Sequence, residues 1–282
     1  MAQVAWIGAG LLGSGFVEAL LGRGDEVTVW NRSEHKARAL ERFGAKVAAS
    51  PAEAAAKAER VHLCLRDDAA VESVLAALPP SHVPIIDHTT VSPAGARARQ
   101  QRLAAQGTPL LTCPVFMAPA NARAAQGIML CAGPAEDVER WLPALRAMTG
   151  AVVRYGEDAG VPATMKLVGN AMIISMTGAL ADALTVAEAS GVAPADAMRL
   201  FETFQVSNTI TGRGARMVQG DYRASFELAM AHKDVRLMLE AAGDRPLAVL
   251  PGLFGRMGAL IEAGHAADDL AVLARDVVPR SR

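Results

Sequence analysis

Close to the start of the chain a short apolar run, Val4-Ala5-Trp6-Ile7, passes into Gly8-Ala9-Gly10-Leu11-Leu12-Gly13 and then into a helical pattern reaching about Leu21. A strand that turns through glycines straight into a helix leaves few options. Gly8 permits the tight turn, Gly10 lets another backbone or a phosphate come close, and Gly13 lets the helix lie against the strand. The helix start offers free N–H groups and the positive end of its dipole to an anion. Glycine clusters elsewhere in proteins are often only loops, but one placed between strand and helix reads as a turn that cradles a dinucleotide's phosphates.

The rest of the first half agrees. Further strands are predicted at residues 26–30, 60–65, 83–87 and 109–114, with a later pair at 128–132 and 151–155, and helical stretches separate most of them. Strands alternating with helices build a mainly parallel sheet. After Gly160 the alternation stops, and from Met165 helix follows helix, broken at 191–194, 220–221 and 243–246. The predicted class is therefore α/β, a Rossmann doubly wound, mainly parallel sheet at 1–160. An all-α domain is expected at 161–282, opened by a long interdomain helix and serving substrate binding and oligomerisation.

Composition narrows the function. Of 282 residues, 51% are apolar and 20% charged, the balance of a soluble globular protein. The formal net charge of −1 comes with no basic block, so nucleic acid is not an expected partner. Cys64, Cys113 and Cys131 stand singly, without CxxC spacing, and read as reduced core residues. No basic stretch leads into a cleavable apolar segment, so a cytoplasmic location is expected. Residues 167–184 form the most apolar stretch, but Asn170 and Asp182 interrupt it, and it reads as a buried helix rather than a membrane span. The histidines show no metal-ligand spacing. His35, His82 and His265 read as surface residues, His62 alternates within a strand, and His88 and His232 adjoin other motifs, so no metal is expected.

The second strand ends in Asn31-Arg32-Ser33, where a site for NAD would place an acid against the ribose 2′-hydroxyl. An acid there would repel a 2′-phosphate. Arg32 instead offers that phosphate a two-pronged donor, with Asn31 and Ser33 adding neutral hydrogen bonds, so NADP is the expected cofactor, NADPH over NADH. Arg32 as a plain solvated loop residue is the alternative, and it leaves the missing acid without a reason.

At the head of the long helix, Lys166 and Asn170 lie four residues apart and so share a face one turn apart, in an otherwise apolar setting. Partial burial lowers a lysine's pKa towards working pH, which suits it to exchange a proton with a carbinol oxygen. Spacing alone does not separate this from a solvated lysine in a first helical turn.

Five segments in order settle on one resemblance. The glycine turn; Leu63-Cys64-Leu65-Arg66-Asp67-Asp68; Asp87-His88-Thr89-Thr90-Val91-Ser92-Pro93; the Lys166–Asn170 pair; and Lys233-Asp234 together resemble the β-hydroxyacid dehydrogenase family over nearly the whole chain. The resemblance implies hydride transfer between a nicotinamide and a small carbonyl or hydroxy compound, a 3-hydroxy acid or semialdehyde, with Lys166 as acid/base and Asn170 orienting. It implies Leu65 and Lys233 near the cofactor and Thr90 against the nicotinamide ribose. It also implies a homodimer or homotetramer joined through the C-terminal helices.

One segment departs from the pattern. Where the family carries a serine and two glycines that hold a substrate carboxylate, this chain reads Cys113-Pro114-Val115-Phe116-Met117-Ala118-Pro119. An apolar loop binds a carboxylate poorly. Phe116, Met117 and Ala118 are read as substrate-binding, the alternative being that Phe116 and Met117 pack into the core and displace the loop. Some of the related imine reductases carry an apolar loop here, and those proteins generally lack the lysine. NADPH-dependent imine reduction is the second reading, and a non-catalytic NADP-binding module the third.

Overall fold

The computed structural model describes residues 2–277. The chain packs as two compact units, one running through Asn170 and the other from Ala171 onward. In the first unit the elements are β1 (Gln3–Ile7), α1 (Leu11–Gly22), β2 (Glu26–Trp30), α2 (Glu34–Arg38), β3 (Lys46–Val47), α3 (Pro51–Ala55), β4 (Arg60–Leu63), α4 (Asp68–Ala76), β5 (Ile85–Asp87), α5 (Pro93–Ala105) and β6 (Leu110–Thr112). They are followed by β7 (Val115–Phe116), α6 (Pro119–Arg123), β8 (Ile128–Cys131), α7 (Ala135–Arg146), β9 (Ala151–Arg154) and the start of α8 (Gly160–Ala189).

Six strands form one sheet in the order β3-β2-β1-β4-β5-β6, all neighbours parallel, and β7-β8-β9 form a small mixed sheet. This is the doubly wound order, with the reversal at β1, where the glycine turn begins. Strand alternation sends Val4 and Trp6 into one core layer with Phe16, Val17 and Leu20 of α1, and Ala5 and Ile7 into the other with Val61, Leu63 and Val71. A parallel strand covered on both faces reads as continuous apolar sequence, which is why β1 is so plain in the chain. Each fully buried side chain of the size of Phe16 or Ile7 contributes about 1.5–3 kcal/mol.

The second unit holds the remainder of α8, then α9 (Pro194–Met198), α10 (Asn208–Gln219), α11 (Leu228–Ala242) and α12 (Leu250–Leu260). Its core gathers Leu228, Ala231 and Val235 from one face of α11 with Met257 and Leu260 of α12 and Val272. The breaks read from the sequence fall where helices end, and Gly220 and Gly243 both adopt positive φ just past α10 and α11. Asp182 of α8 is buried, and its carboxylate accepts from the backbone N–H groups of Ala248, Val249 and Leu250 at 2.6–2.9 Å, so a charge inside the apolar stretch caps α12.

The expectation that residues 167–184 are buried is corrected here. Leu167, Val168, Met172, Ile173, Ile174, Met176 and Leu180 are all exposed, Ile174 at 69% and Ile173 at 55%. At 100° per residue these side chains spread around the whole helix, so covering them takes contact from several sides. The sequence pattern shows that α8 needs cover, and among the described residues these side chains lack it.

Candidate active site

Almost every residue read from the sequence as cofactor-binding lines one cleft of about 680 Å³ in the first unit: Gly8, Gly10, Leu11, Leu12, Gly13, Asn31, Arg32, Ser33, Leu65 and Thr90. The floor is the glycine turn. A Cβ on Gly8 would collide with the Cys64 carbonyl, and one on Gly13 with the Gly8 carbonyl, while the Trp6 indole N–H donates to that same Gly8 carbonyl at 3.0 Å. Gly8 has φ +111°, a conformation that glycine alone adopts freely. A Cβ on Gly10, which lines the cleft, would meet no protein atom. No side chain caps α1 at Gly10, so the N–H groups of its first turn are left for a ligand. An open cradle under an uncapped helix start fits a pyrophosphate.

The far wall is the end of β2. Gly8 N–H donates to the Trp30 carbonyl at 2.9 Å, and the Asn31 side chain accepts from Ala9 N–H at 3.0 Å while donating to the Ser33 carbonyl at 2.9 Å. Most of the Asn31 carboxamide is thus spent holding the turn in place. Ser33 begins α2, and its hydroxyl makes no capping bond to that helix. Arg32 and Lys36 both line the cleft and are exposed, and neither forms an ion pair among the described residues. Lys36 was not anticipated from the sequence. Arg66, also on the wall, is paired with Asp67, which caps α4 through Ala70 N–H. Ala69, Ala70 and Ser73 of α4 keep the opposite side small. Cys64 lines the cleft too, but burial pushes its thiol up to about 12, so it stays protonated.

A buried chain of hydrogen bonds runs behind this wall. The guanidinium Nε of Arg60 only donates, here to His62 Nε2 at 3.1 Å, so the His62 proton sits on Nδ1. His62 Nδ1 donates to His88 Nε2 at 2.9 Å, and His88 Nδ1 donates to the Cys113 carbonyl at 2.8 Å. Trp6 stacks on both imidazoles. Burial lowers both histidine pKa values, His88 to about 4, so each is a neutral donor and acceptor at neutral pH, unsuited to act as an acid. The chain fixes the Cys113 carbonyl at the head of the segment that leads to Phe116. Sequence spacing does not reveal it, because His62 and His88 meet only when β4 and β5 pair.

Lys166 and Asn170 stand one turn apart at the head of α8, both half-buried. Burial lowers the Lys166 pKa from the ordinary lysine value. Its ammonium lies 4.1 Å from the centre of the Phe116 ring, and the same ring presses on Gly169, where an added Cβ would overlap it. Met117, next in the chain, goes the other way. It packs against the core layer beside Gly127. Ala118 is exposed and precedes α6, its N–H held by the Asn121 side chain at 2.9 Å. Lys233 belongs to α11 of the second unit, where it pairs with Asp234 at 2.9 Å, and His232 is stacked on Phe254 at 4.1 Å.

Residues 3–156 match the model of the NAD binding domain of 6-phosphogluconate dehydrogenase, and residues 160–274 that of the NAD-binding segment of NADP-dependent 3-hydroxyisobutyrate dehydrogenase. Glyoxylate/succinic semialdehyde reductase 1 of Arabidopsis thaliana is 30% identical over 256 residues, 88% of each chain. The 3-sulfolactaldehyde reductase of Escherichia coli (strain K12) is 29% identical over 255 residues, 86% of this chain and 84% of that one. An imine reductase from Pseudomonas sp. superimposes with a TM-score of 0.90 over 98% of this chain and 99% of its own, at 22% identity, a likeness of fold. With both halves of the chain matched, the protein belongs to the β-hydroxyacid dehydrogenase family and is an NAD(P)-dependent oxidoreductase.

Proposed function

We propose that the protein is an NADPH-dependent reductase of a small carbonyl compound, in which Lys166 gives its proton to the oxygen as the carbon is reduced. The observation that carries this reading is the half-buried Lys166 ammonium on an apolar helix face, its pKa lowered by burial. When bound, the nicotinamide supplies the hydride. The chain's own residues do the rest: Gly10 and the first turn of α1 hold the phosphates, Asn170 orients the oxygen from one turn along α8, and Lys166 neutralises the charge that builds on it. On the resemblance, Lys233 adds a cofactor contact.

The loop narrows the substrate. Phe116 stands where the family keeps hydroxyl and glycine donors for a carboxylate, so the group beside it is taken to be uncharged. A cyclic imine is the second reading, supported by the apolar Phe116 and by the fold shared with imine reductases. Against it, a protonated imine would lie beside the like-charged Lys166. NADPH consumption across neutral aldehydes, semialdehydes, keto acids and cyclic imines tests the choice. Turnover of carbonyl compounds supports the proposal, and turnover of imines alone overturns it.

NADPH preference rests on Arg32 and Lys36, two cations on the wall of one cleft, with no acid at the end of β2. Arg32→Ala is expected to weaken NADPH by about 10–100-fold, the worth of a charge-assisted forked hydrogen bond, while changing NADH by roughly twofold or less. Fluorescence titration of both cofactors checks this, and equal losses would show that Arg32 does not read the 2′-phosphate.

The exposed apolar surface of α8 gives the assembly. We assign its cover to a second copy of the chain, since a helix apolar on all sides is not stable in water. The protein is expected to elute and scatter light at no less than twice its chain mass. A stable monomer at micromolar concentration would refute this assignment.

A further inference from the structure

We propose that Phe116 is the positioning residue for Lys166, seating the ammonium on its ring face, and that position 169 is glycine to admit that ring. The inference rests on the reading of Lys166 as proton donor. Lys166, Gly169 and Asn170 are spaced i, i+3 and i+4, so all three lie on one face of α8. The Phe116 ring spans that face, pressed on the bare backbone of Gly169 and 4.1 Å from the Lys166 nitrogen. Any side chain at 169 would push it away.

The ring acts on the lysine in two opposed ways. It excludes water, which disfavours the charge, and its π-face attracts the ammonium, which favours it. It also holds a flexible four-carbon chain in one place, and that is what makes a proton donor effective. Among the described residues no acidic side chain pairs with the lysine. Burial lowers its pKa, and the next charged residue along α8 is Asp182.

The test is the pH dependence of kcat/KM for carbonyl reduction between pH 6 and 10, in wild type and in Lys166→Ala, Phe116→Leu and Phe116→Tyr. A donor lysine gives a limb that falls as pH rises, and the limb disappears in Lys166→Ala. Leucine keeps water out but lacks the π-face, so Phe116→Leu should move the limb to lower pH by about half a unit, while tyrosine, which keeps the ring, should restore it. A second readout needs no pH series. Gly169→Ala should cost on the order of tenfold in kcat/KM with Phe116 present and little on a Phe116→Ala background, where the collision is gone. If the limb is missing from wild type or survives in Lys166→Ala, the donor reading fails and takes this proposal with it. If the limb depends on Lys166 but Phe116→Leu leaves it in place, or Gly169→Ala costs the same on both backgrounds, the proposal alone is overturned.

Discussion

Replacing Lys166 by alanine is expected to lower kcat for carbonyl reduction by about 10²–10⁴-fold, the usual worth of a positioned general acid, with NADPH affinity unchanged. The size follows from the setting. In a half-buried apolar site water is a poor substitute donor, and the histidines nearest the cleft are neutral, His88 with its pKa pushed down to about 4 by burial. Arginine should rescue little. It keeps the charge but holds its proton too tightly to release it at working pH. The measurement is single-turnover reduction followed by NADPH absorbance, which separates chemistry from product release. Near-normal turnover in the alanine variant would remove Lys166 from the chemistry and leave solvent as the proton source.

The parts of this molecule that were legible in the sequence are those fixed by local geometry. The glycine turn needs no side chain at positions 8 and 13 because carbonyl oxygens occupy that space, and β1 shows as unbroken apolar residues because both its faces are covered. Strands β3 and β7 went unseen, since two residues carry no periodic signal. Lys36 was missed because its place on the cleft wall depends on where α2 begins. Phe116 and Met117 were treated as a unit, in the pocket or in the core. Adjacent residues at a strand end point to opposite sides, and the structure gives one answer to each: the ring on Lys166, the methionine against the core. The hydrogen-bonded histidines and the lack of cover on α8 are both matters of what lies across from a residue, and no spacing along the chain records that.

The largest expected effect on stability lies at Asp269, in the second unit. Its side chain is fully buried and accepts from the backbone N–H groups of Ser225, Phe226 and Ala271, from the Ser225 hydroxyl, and from Arg213 and Arg216. One carboxylate thus joins α10, the segment before α11 and the turn that begins at Leu270. Asp269→Ala strands three N–H groups and two guanidinium groups at once, and is expected to cost about 3 kcal/mol, seen as a fall in melting temperature of roughly 10 °C. Asp269→Asn should cost nearly as much, because its amide places further donors among donors. The pH dependence has a defined sign. Burial by itself would raise the Asp269 pKa, but the hydrogen bonds outweigh it and hold the carboxyl well below the usual carboxylate range. Its contribution is therefore complete above the ordinary aspartate value of about 4 and is lost as pH falls below that towards the native pKa. The gap in stability between wild type and Asp269→Asn should be wide at pH 7 and narrow steadily from pH 4 downward, followed by circular dichroism melts. An asparagine variant as stable as wild type at pH 7 would show that this carboxylate does not hold the helical unit together.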